Sequence, residues 1–167
     1  MHKILNKPLG QILTTLLSVS IFTPVLTHAD IYISEVLEGS SYNKAIEIAN
    51  NGNAAVTLTG YELASEYNGW ANNYALDGVT IQPNSVWVIA HSSANDAVKA
   101  LADVTSSSYL VRFSGNDALA LLKDGDEHDV FGTFGYDNFN KDQTLQRCEH
   151  TLSTNYLSWQ WQSLAKD

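Results

Sequence analysis

From residue 30 onward the chain alternates apolar and polar positions over short runs, and turn residues separate the runs. In Ile31–Val36 the isoleucines at 31 and 33 share one face, because side chains two apart lie together on a pleated strand. In Lys44–Ala49, Ile46 and Ile48 do the same, and Glu47 points the other way. The polar connection Gly39-Ser40-Ser41-Tyr42-Asn43 joins the two. Asn50-Asn51-Gly52-Asn53 tolerates positive φ and reads as a hairpin turn, so Ala55–Thr59 is predicted to pair back on the second strand. Gly60 breaks that run and Tyr61–Ser65 follows as another strand. Leu76–Ile81 and Val86–Ala90 are predicted to form a hairpin around Gln82-Pro83-Asn84-Ser85, where Pro83 presets φ for the turn. The run Val86-Trp87-Val88-Ile89-Ala90 is almost wholly apolar. It is predicted to be central and buried on both faces, with Trp87 in the core. Tyr109–Phe113, Ala118–Lys123 and Glu127–Phe131 read as a three-stranded meander, and Thr144–Cys148 as a late strand. Trp159 and Trp161 lie in the closing segment, Asn155–Asp167.

Three stretches depart from this alternation. Ser93–Ala102 carries Ala97, Ala100 and Leu101 at helical spacing, with a Ser-x-x-Asp cap pattern at Ser93 and Asp96. Glu66–Ala75 is polar, rich in asparagine, and holds Tyr67, Trp70 and Tyr74; it is predicted to be a loop. Thr133–Gln143 reads as a second polar loop, with Tyr136 and Phe139. About nine short strands at close spacing, with one short helix, argue for an all-β sandwich or barrel.

Residues 1–29 change the picture of where this domain works. Lys3 and Lys7 form a positive start, Ile12–Leu26 is mostly apolar, and Thr27-His28-Ala29 is a small-x-small cleavage pattern. A membrane anchor is the rival. Thr14, Thr15, Ser18 and Ser20 interrupt the apolar run, which is short for a span. The expectation is a signal peptide over 1–29, cleaved after Ala29, and one domain over 30–167 in a secreted or periplasmic bacterial protein. Its 138 residues suffice to bury a core without covalent staples.

Removing Lys3 and Lys7 leaves 7 basic against 18 acidic residues and moves the formal charge from −9 to −11. Such a surface repels phosphate, so direct nucleic-acid binding is not expected without a bridging divalent cation. It suits a soluble monomer or weak oligomer, or a basic partner. Cys148 is the single cysteine. It cannot form a disulfide within the chain, and it is expected to be buried like a small apolar residue.

Asp30–Asn50 also carries a motif. Ile33-Ser34-Glu35, Glu38-Gly39-Ser40-Ser41, Asn43-Lys44-Ala45, Glu47 and Asn50 stand where the lamin tail domain has its opening pattern. The stretch resembles that family as it occurs in secreted bacterial proteins and ahead of the catalytic domain in bacterial extracellular nucleases. The resemblance recurs at Phe113–Leu122, at Asp129 before Phe131-Gly132, at Thr144-Leu145-x-Arg147 and in the closing tryptophan segment. It implies an immunoglobulin-like β-sandwich over essentially the whole of residues 30–167. It implies no nuclease activity, because no catalytic domain is expected to follow. The motif residues Glu35, Glu38, Gly39, Ser40, Ser41, Asn43, Lys44, Glu47 and Asn50 are expected to be architectural.

Candidate chemistry is sparse. No nucleophile elbow, zinc spacing or phosphate loop is present, so no enzymatic function is expected. Asp124-Gly125-Asp126-Glu127-His128-Asp129 is the densest acidic run. Calcium is conceivable there, yet a hairpin turn explains Asp-Gly, and alternation would send Asp126 and His128 to the face opposite Glu127 and Asp129. No cofactor is expected. Glu35, Glu38 and Glu47 could converge at one end of a sheet, with Glu47 pairing Lys44, Arg112 or Arg147. A Cys148–His150 pair is a poor nucleophile in an acidic domain. The expected role is binding or adhesion towards an extracellular protein, a surface polymer or cation-bridged DNA. The alternatives are a carbohydrate-binding module built on Tyr67, Trp70 and Tyr74, and an accessory domain for a nuclease carried on another chain.

Overall fold

A computed structural model describes residues 30–66, 69–135, 139–148 and 152–164. The described chain forms twelve strands: β1 Ile31–Glu38, β2 Lys44–Asn50, β3 Val56–Thr57, β4 Tyr61–Glu66, β5 Trp70–Ala75, β6 Thr80–Ile81, β7 Ser85–His91, β8 Val104–Ser106, β9 Leu119–Lys123, β10 Asp126–Phe131, β11 Gln143–Arg147 and β12 Trp161–Leu164. The helix α1, Asp96–Leu101, stands between β7 and β8. One sheet runs β12-β11-β1-β2-β7-β8 and the other β10-β9-β4-β5; β3 and β6 make a small ribbon. This is the immunoglobulin-like sandwich that the resemblance implies.

Alternation decides what the two sheets bury between them. Ile31, Ile33 and Val36 of β1, Ile46 and Ile48 of β2, and Ile89 of β7 meet Leu63, Leu119, Leu121 and Phe131 of the other sheet in one core. Each of these side chains is at most 1% exposed. Burying one such side chain contributes about 1.5–3 kcal/mol. The core therefore fixes the register, since a one-residue slip would turn every isoleucine to solvent. Bulges interrupt the register at two facing places, between Ile33 and Glu35 in β1 and between Glu127 and Asp129 in β10.

Several sequence expectations need correction. Trp70–Ala75 is not loop but edge strand β5, paired antiparallel with β4. Ala55–Thr59 does not pair back on β2; Val56–Thr57 pairs with Thr80–Ile81. Leu76–Ile81 and Val86–Ala90 do not form a hairpin, because β7 pairs with β2 over Ala45↔Ala90 to Asn50↔Ser85. β7 is also not buried on both faces: Val86 is 48% exposed, whereas Trp87 packs against the core. Tyr109–Arg112 is a 3₁₀ turn rather than a strand, and β4 takes the expected place beside β9. Helix α1 is capped by Asn95, not Ser93: the Asn95 side chain accepts from Val98 N at 2.8 Å. Cys148 is exposed, not buried. It follows Arg147 and falls on the opposite face of the chain, as alternation requires. Tyr67, Tyr136, His150 and the proposed leader at 1–29 lie outside the described residues.

Candidate functional site

The acidic groups divide into those that the fold consumes and those it leaves open. Asp129 is the most completely consumed. The β10 bulge at His128 turns its carboxylate inward, so Asp129 and Glu127 do not share a face as alternation alone would give. Asp129 Oδ2 accepts from Arg147 Nη2 at 2.7 Å and from Ile33 N at 2.9 Å, and Oδ1 accepts from Ser153 N at 3.1 Å. Arg147 Nε donates to Ile33 O at 3.0 Å, and its guanidinium lies 4.6 Å from the Trp161 ring centroid. Both charged side chains are fully buried, and the pair ties edge strand β10 of one sheet to β11 of the other. Burial pushes the Asp129 carboxyl above its usual value, against the opposing pull of Arg147 and the two amides.

The motif loop between β1 and β2 is a second closed knot. Lys44 Nζ pairs with Glu38 Oε1 at 2.8 Å and also donates to Gly39 O. Glu38 Oε2 accepts from Asp142 N. Ser41 takes positive φ at 54°, and Gly39 N donates to Asn43 O at 2.8 Å, which closes the turn together with Ser40 O. Asn50 holds the far end of β2: its amide donates to Ala54 O and Ile81 O, and its oxygen accepts from Gly52 N at 2.9 Å. Lys44 and Arg147 are thus directed to Glu38 and Asp129 rather than to Glu47.

Asn43 carries the motif's influence outward. Its Oδ1 accepts from Asn95 N at 2.8 Å and so seats the start of helix α1. Buried His91 supports the same corner, stacking on Tyr42 at 4.4 Å and accepting from Ser93 N at its Nδ1. Burial, reinforced by Arg112, holds the His91 imidazole below its usual value. So placed, the helix lays Val98 on Ala90 and Ala94, with Leu37, Ala45 and Ala102 around them, over one end of the outer face of the six-stranded sheet.

Beside the helix that outer face is open. Glu35 and Glu47 stand directly opposite each other across β1 and β2. Opposed residues on an antiparallel pair have Cβ atoms roughly 4.5–5.5 Å apart, and like charges there repel. Ser34 Oγ donates to Glu47 Oε1 at 2.6 Å, and Gln146 Nε2 to Glu35 Oε2 at 3.1 Å. Burial and then the Glu47 charge raise the Glu35 carboxyl above its usual value, while the Gln146 bond opposes them only in part. The two carboxylates end a groove of about 90 Å³ whose other walls are Leu37, Ala45, Val88, Val98 and Leu101. Leu101 is 77% exposed. Two further depressions on the same face run past Tyr32, Ala49 and Val86.

Trp70 and Tyr74, expected to share one platform, are separated. Asn72 at positive φ belongs to an irregularity between β4 and β5. As a result Tyr74 pairs opposite Leu63 and packs against the main core. Trp70 instead covers Ala64, Ala120, Leu122 and Val130 on the outer face of the four-stranded sheet. The turn acids have different partners: Asp124 pairs with Lys123, Glu127 accepts from Trp70 and Asp129 is buried against Arg147. Among the described residues no three histidine, cysteine, aspartate or glutamate side chains are grouped to hold a metal ion.

Sequence reasoning missed Asp129 as a partner of Arg147; of the three glutamates expected to converge, Glu35 and Glu47 do meet, whereas Glu38 is held apart by Lys44. Strict alternation did offer one signal, for Glu47: a carboxylate between two core isoleucines must emerge on the far face.

A family model described as Lamin Tail Domain matches residues 24–135, about two thirds of the chain. The matched span stops before β11 and β12, so it is shorter than the resemblance read from the residues. No curated protein matches the chain.

Proposed function

The chain belongs to the lamin tail domain family, a non-catalytic immunoglobulin-like one, and from that premise we propose that it works as an exported binding module. Its binding surface is the outer face of the six-stranded sheet, and its partner is a protein segment that presents lysine or arginine side chains. The observation that carries this reading is the Glu35–Glu47 pair. Two carboxylates face each other at the end of an apolar groove, and among the described residues the groups that donate to them, Ser34 and Gln146, are neutral. A lysine or arginine stem would lie along Leu37, Val88 and Val98 while its charged head reached both carboxylates. The groove is smaller than the roughly 300–1,000 Å³ of small-molecule sites, which suits a single side chain. The formal charge of −11 over residues 30–167 favours the same partner by drawing basic segments in and holding nucleic acid off. The leader pattern at residues 1–29 supports export.

As a binding module the protein asks no catalysis of this carboxylate pair. Acid–base work needs two carboxyls whose surroundings push their pKa values apart in an enclosed site, and this pair shares one open sheet face.

The test uses residues 30–167 and a fluorescent peptide that alternates arginine with leucine. Anisotropy is expected to show binding that weakens with salt, as exposed charge pairs are screened over about 8 Å at physiological ionic strength. The Glu35→Gln/Glu47→Gln protein should bind roughly tenfold or more weakly, since charge-assisted hydrogen bonds are lost. A peptide with glutamate in place of arginine should not bind. Equal affinity of the double variant and the parent would sink the reading.

A further inference from the structure

The other sheet has its own opening, remote from the carboxylate groove and independent of it. On the outer face of the four-stranded sheet Trp70 lies over a small apolar floor. Its indole N–H donates to Glu127 Oε1 at 2.6 Å, which fixes the ring's orientation. Phe134 leans on the indole with centroids 4.6 Å apart and planes tilted by 58°, and it is itself 42% exposed. Tyr156 forms the far wall, and Thr133, Thr154 and Asn155 stand at the rim of a cleft of about 350 Å³. That volume lies within the roughly 300–1,000 Å³ of small-ligand sites.

The rim is built in advance. Val130 N donates to Ser153 O at 2.8 Å, Ser153 N to the buried Asp129 carboxylate, and Asn155 N to Ser153 Oγ at 3.1 Å. The backbone carrying Thr154 and Asn155 is therefore anchored to the core. The hydroxyls of Thr133 and Thr154 and the side-chain amide of Asn155 make no hydrogen bond to another described residue. One Glu127 oxygen is also left over by the indole.

We propose that this cleft binds a sugar residue of a neutral extracellular glycan. A pyranose ring has an apolar C–H face and a girdle of hydroxyls. The first matches the fixed faces of Trp70 and Phe134, and the second matches hydroxyl, amide and carboxylate groups placed around them. No lysine or arginine lines the cleft and Glu127 does, so uronic acids, sulfated sugars and phosphates are repelled rather than held. The platform differs from the one the sequence suggested: Tyr74 belongs to the core, and Phe134 takes its place.

Affinity electrophoresis of residues 30–167 through gels containing soluble β-glucan, xylan or mannan tests the proposal, with alginate as the acidic control. Phe134→Ala and Asn155→Ala remove exposed groups and leave the Trp70 floor in place. At least one neutral polysaccharide is expected to retard the protein; Phe134→Ala is expected to bind it at least about fivefold more weakly, the lower end of aromatic stacking, and Asn155→Ala about threefold or more, as for one lost hydrogen bond. Retardation by alginate alone, by none of the polymers, or equally in the parent and both variants would overturn it. Asn155→Ala alters only a rim amide, so its result stands even if Phe134→Ala lowers stability.

Discussion

Two carboxylate sites in this molecule solve opposite problems. Asp129 is fully buried, yet a guanidinium and two backbone amides meet it. Glu35 is only half-buried, yet what faces it is another carboxylate. Burial of a charge is tolerated where partners are complete, and removing one partner then leaves the other charge stranded. A like-charged pair at the surface is the reverse: it gives the fold nothing and leaves a demand for a cation that the described residues do not meet. The first arrangement belongs to architecture and the second is the one proposed for recognition, although both are acidic residues on strands.

The contrast is broken most forcefully at the buried pair. Asp129→Ala is expected to destabilise the domain by about 3–5 kcal/mol, because the buried Arg147 would lose the Asp129 carboxylate at 2.7 Å. A shift of the urea midpoint at unchanged slope measures this. Replacing both partners, Asp129→Leu with Arg147→Met, should recover much of the loss. Failure to recover would mean that the bonds from Asp129 to the amides of Ile33 and Ser153 matter more than the charge pair. Glu38→Ala is expected to follow at about 3 kcal/mol, near the lower end of that range, since Lys44 and Glu38 keep 7% and 9% exposure. A loss below 1 kcal/mol would move Glu38 out of the structural class.

The helix links the two kinds of site and should respond more mildly. Asn95→Ala removes the cap at Val98 N and is expected to cost about 1 kcal/mol. It should also weaken binding of the arginine–leucine peptide, because Val98 and Leu101 wall the groove. A thermal melt and the anisotropy assay check the two effects separately. Loss of stability with unchanged peptide affinity would show that the helix does not shape the groove.

How far the chain itself announces this division depends on the range of the interaction. Ile31, Ile33, Ile46 and Ile48 alternate within a few residues of one another, so their strands and the outward turn of Glu47 are legible locally. Asn50 stands at a turn that its composition announces. Trp70–Ala75 contains no alternation, since its asparagines suit loop and edge strand alike, and only pairing with β4 decides the matter. Tyr109–Arg112 has strand composition but closes as a 3₁₀ turn, capped by Ser108. Asp129 and Arg147 are 18 residues apart, and both bond to Ile33, Asp129 from the other sheet and Arg147 from the neighbouring strand β11. A bulge at His128 sets the direction of Asp129, and a single extra residue of that kind has no fixed sequence signal. The facing of Glu35 and Glu47 likewise depends on the β1 bulge at Ser34, without which strict alternation would put Glu35 with the isoleucines.

Glu35→Gln gives the smallest effect and the sharpest one, because its sign is opposite to the others. Burial and the Glu47 charge raise the Glu35 carboxyl above its reference value of 4.5. The folded protein therefore holds the proton at pH values where the unfolded chain has released it. Stability from this group is fully present below the unfolded value and is lost as pH rises through the raised folded one. At neutral pH the ionised pair opposes folding, and the neutral amide at position 35 should relieve it. The variant is expected to melt slightly higher than the parent at pH 7, by the few tenths of a kcal/mol typical of cross-strand pairs, and to match it at pH 4. Its peptide affinity should fall at the same time. A residue that weakens the fold and strengthens binding is serving recognition. If Glu35→Gln instead destabilised equally at both pH values, Glu35 would join Asp129 and Glu38 as a structural carboxylate, and the groove would lose its claim to a cationic side chain.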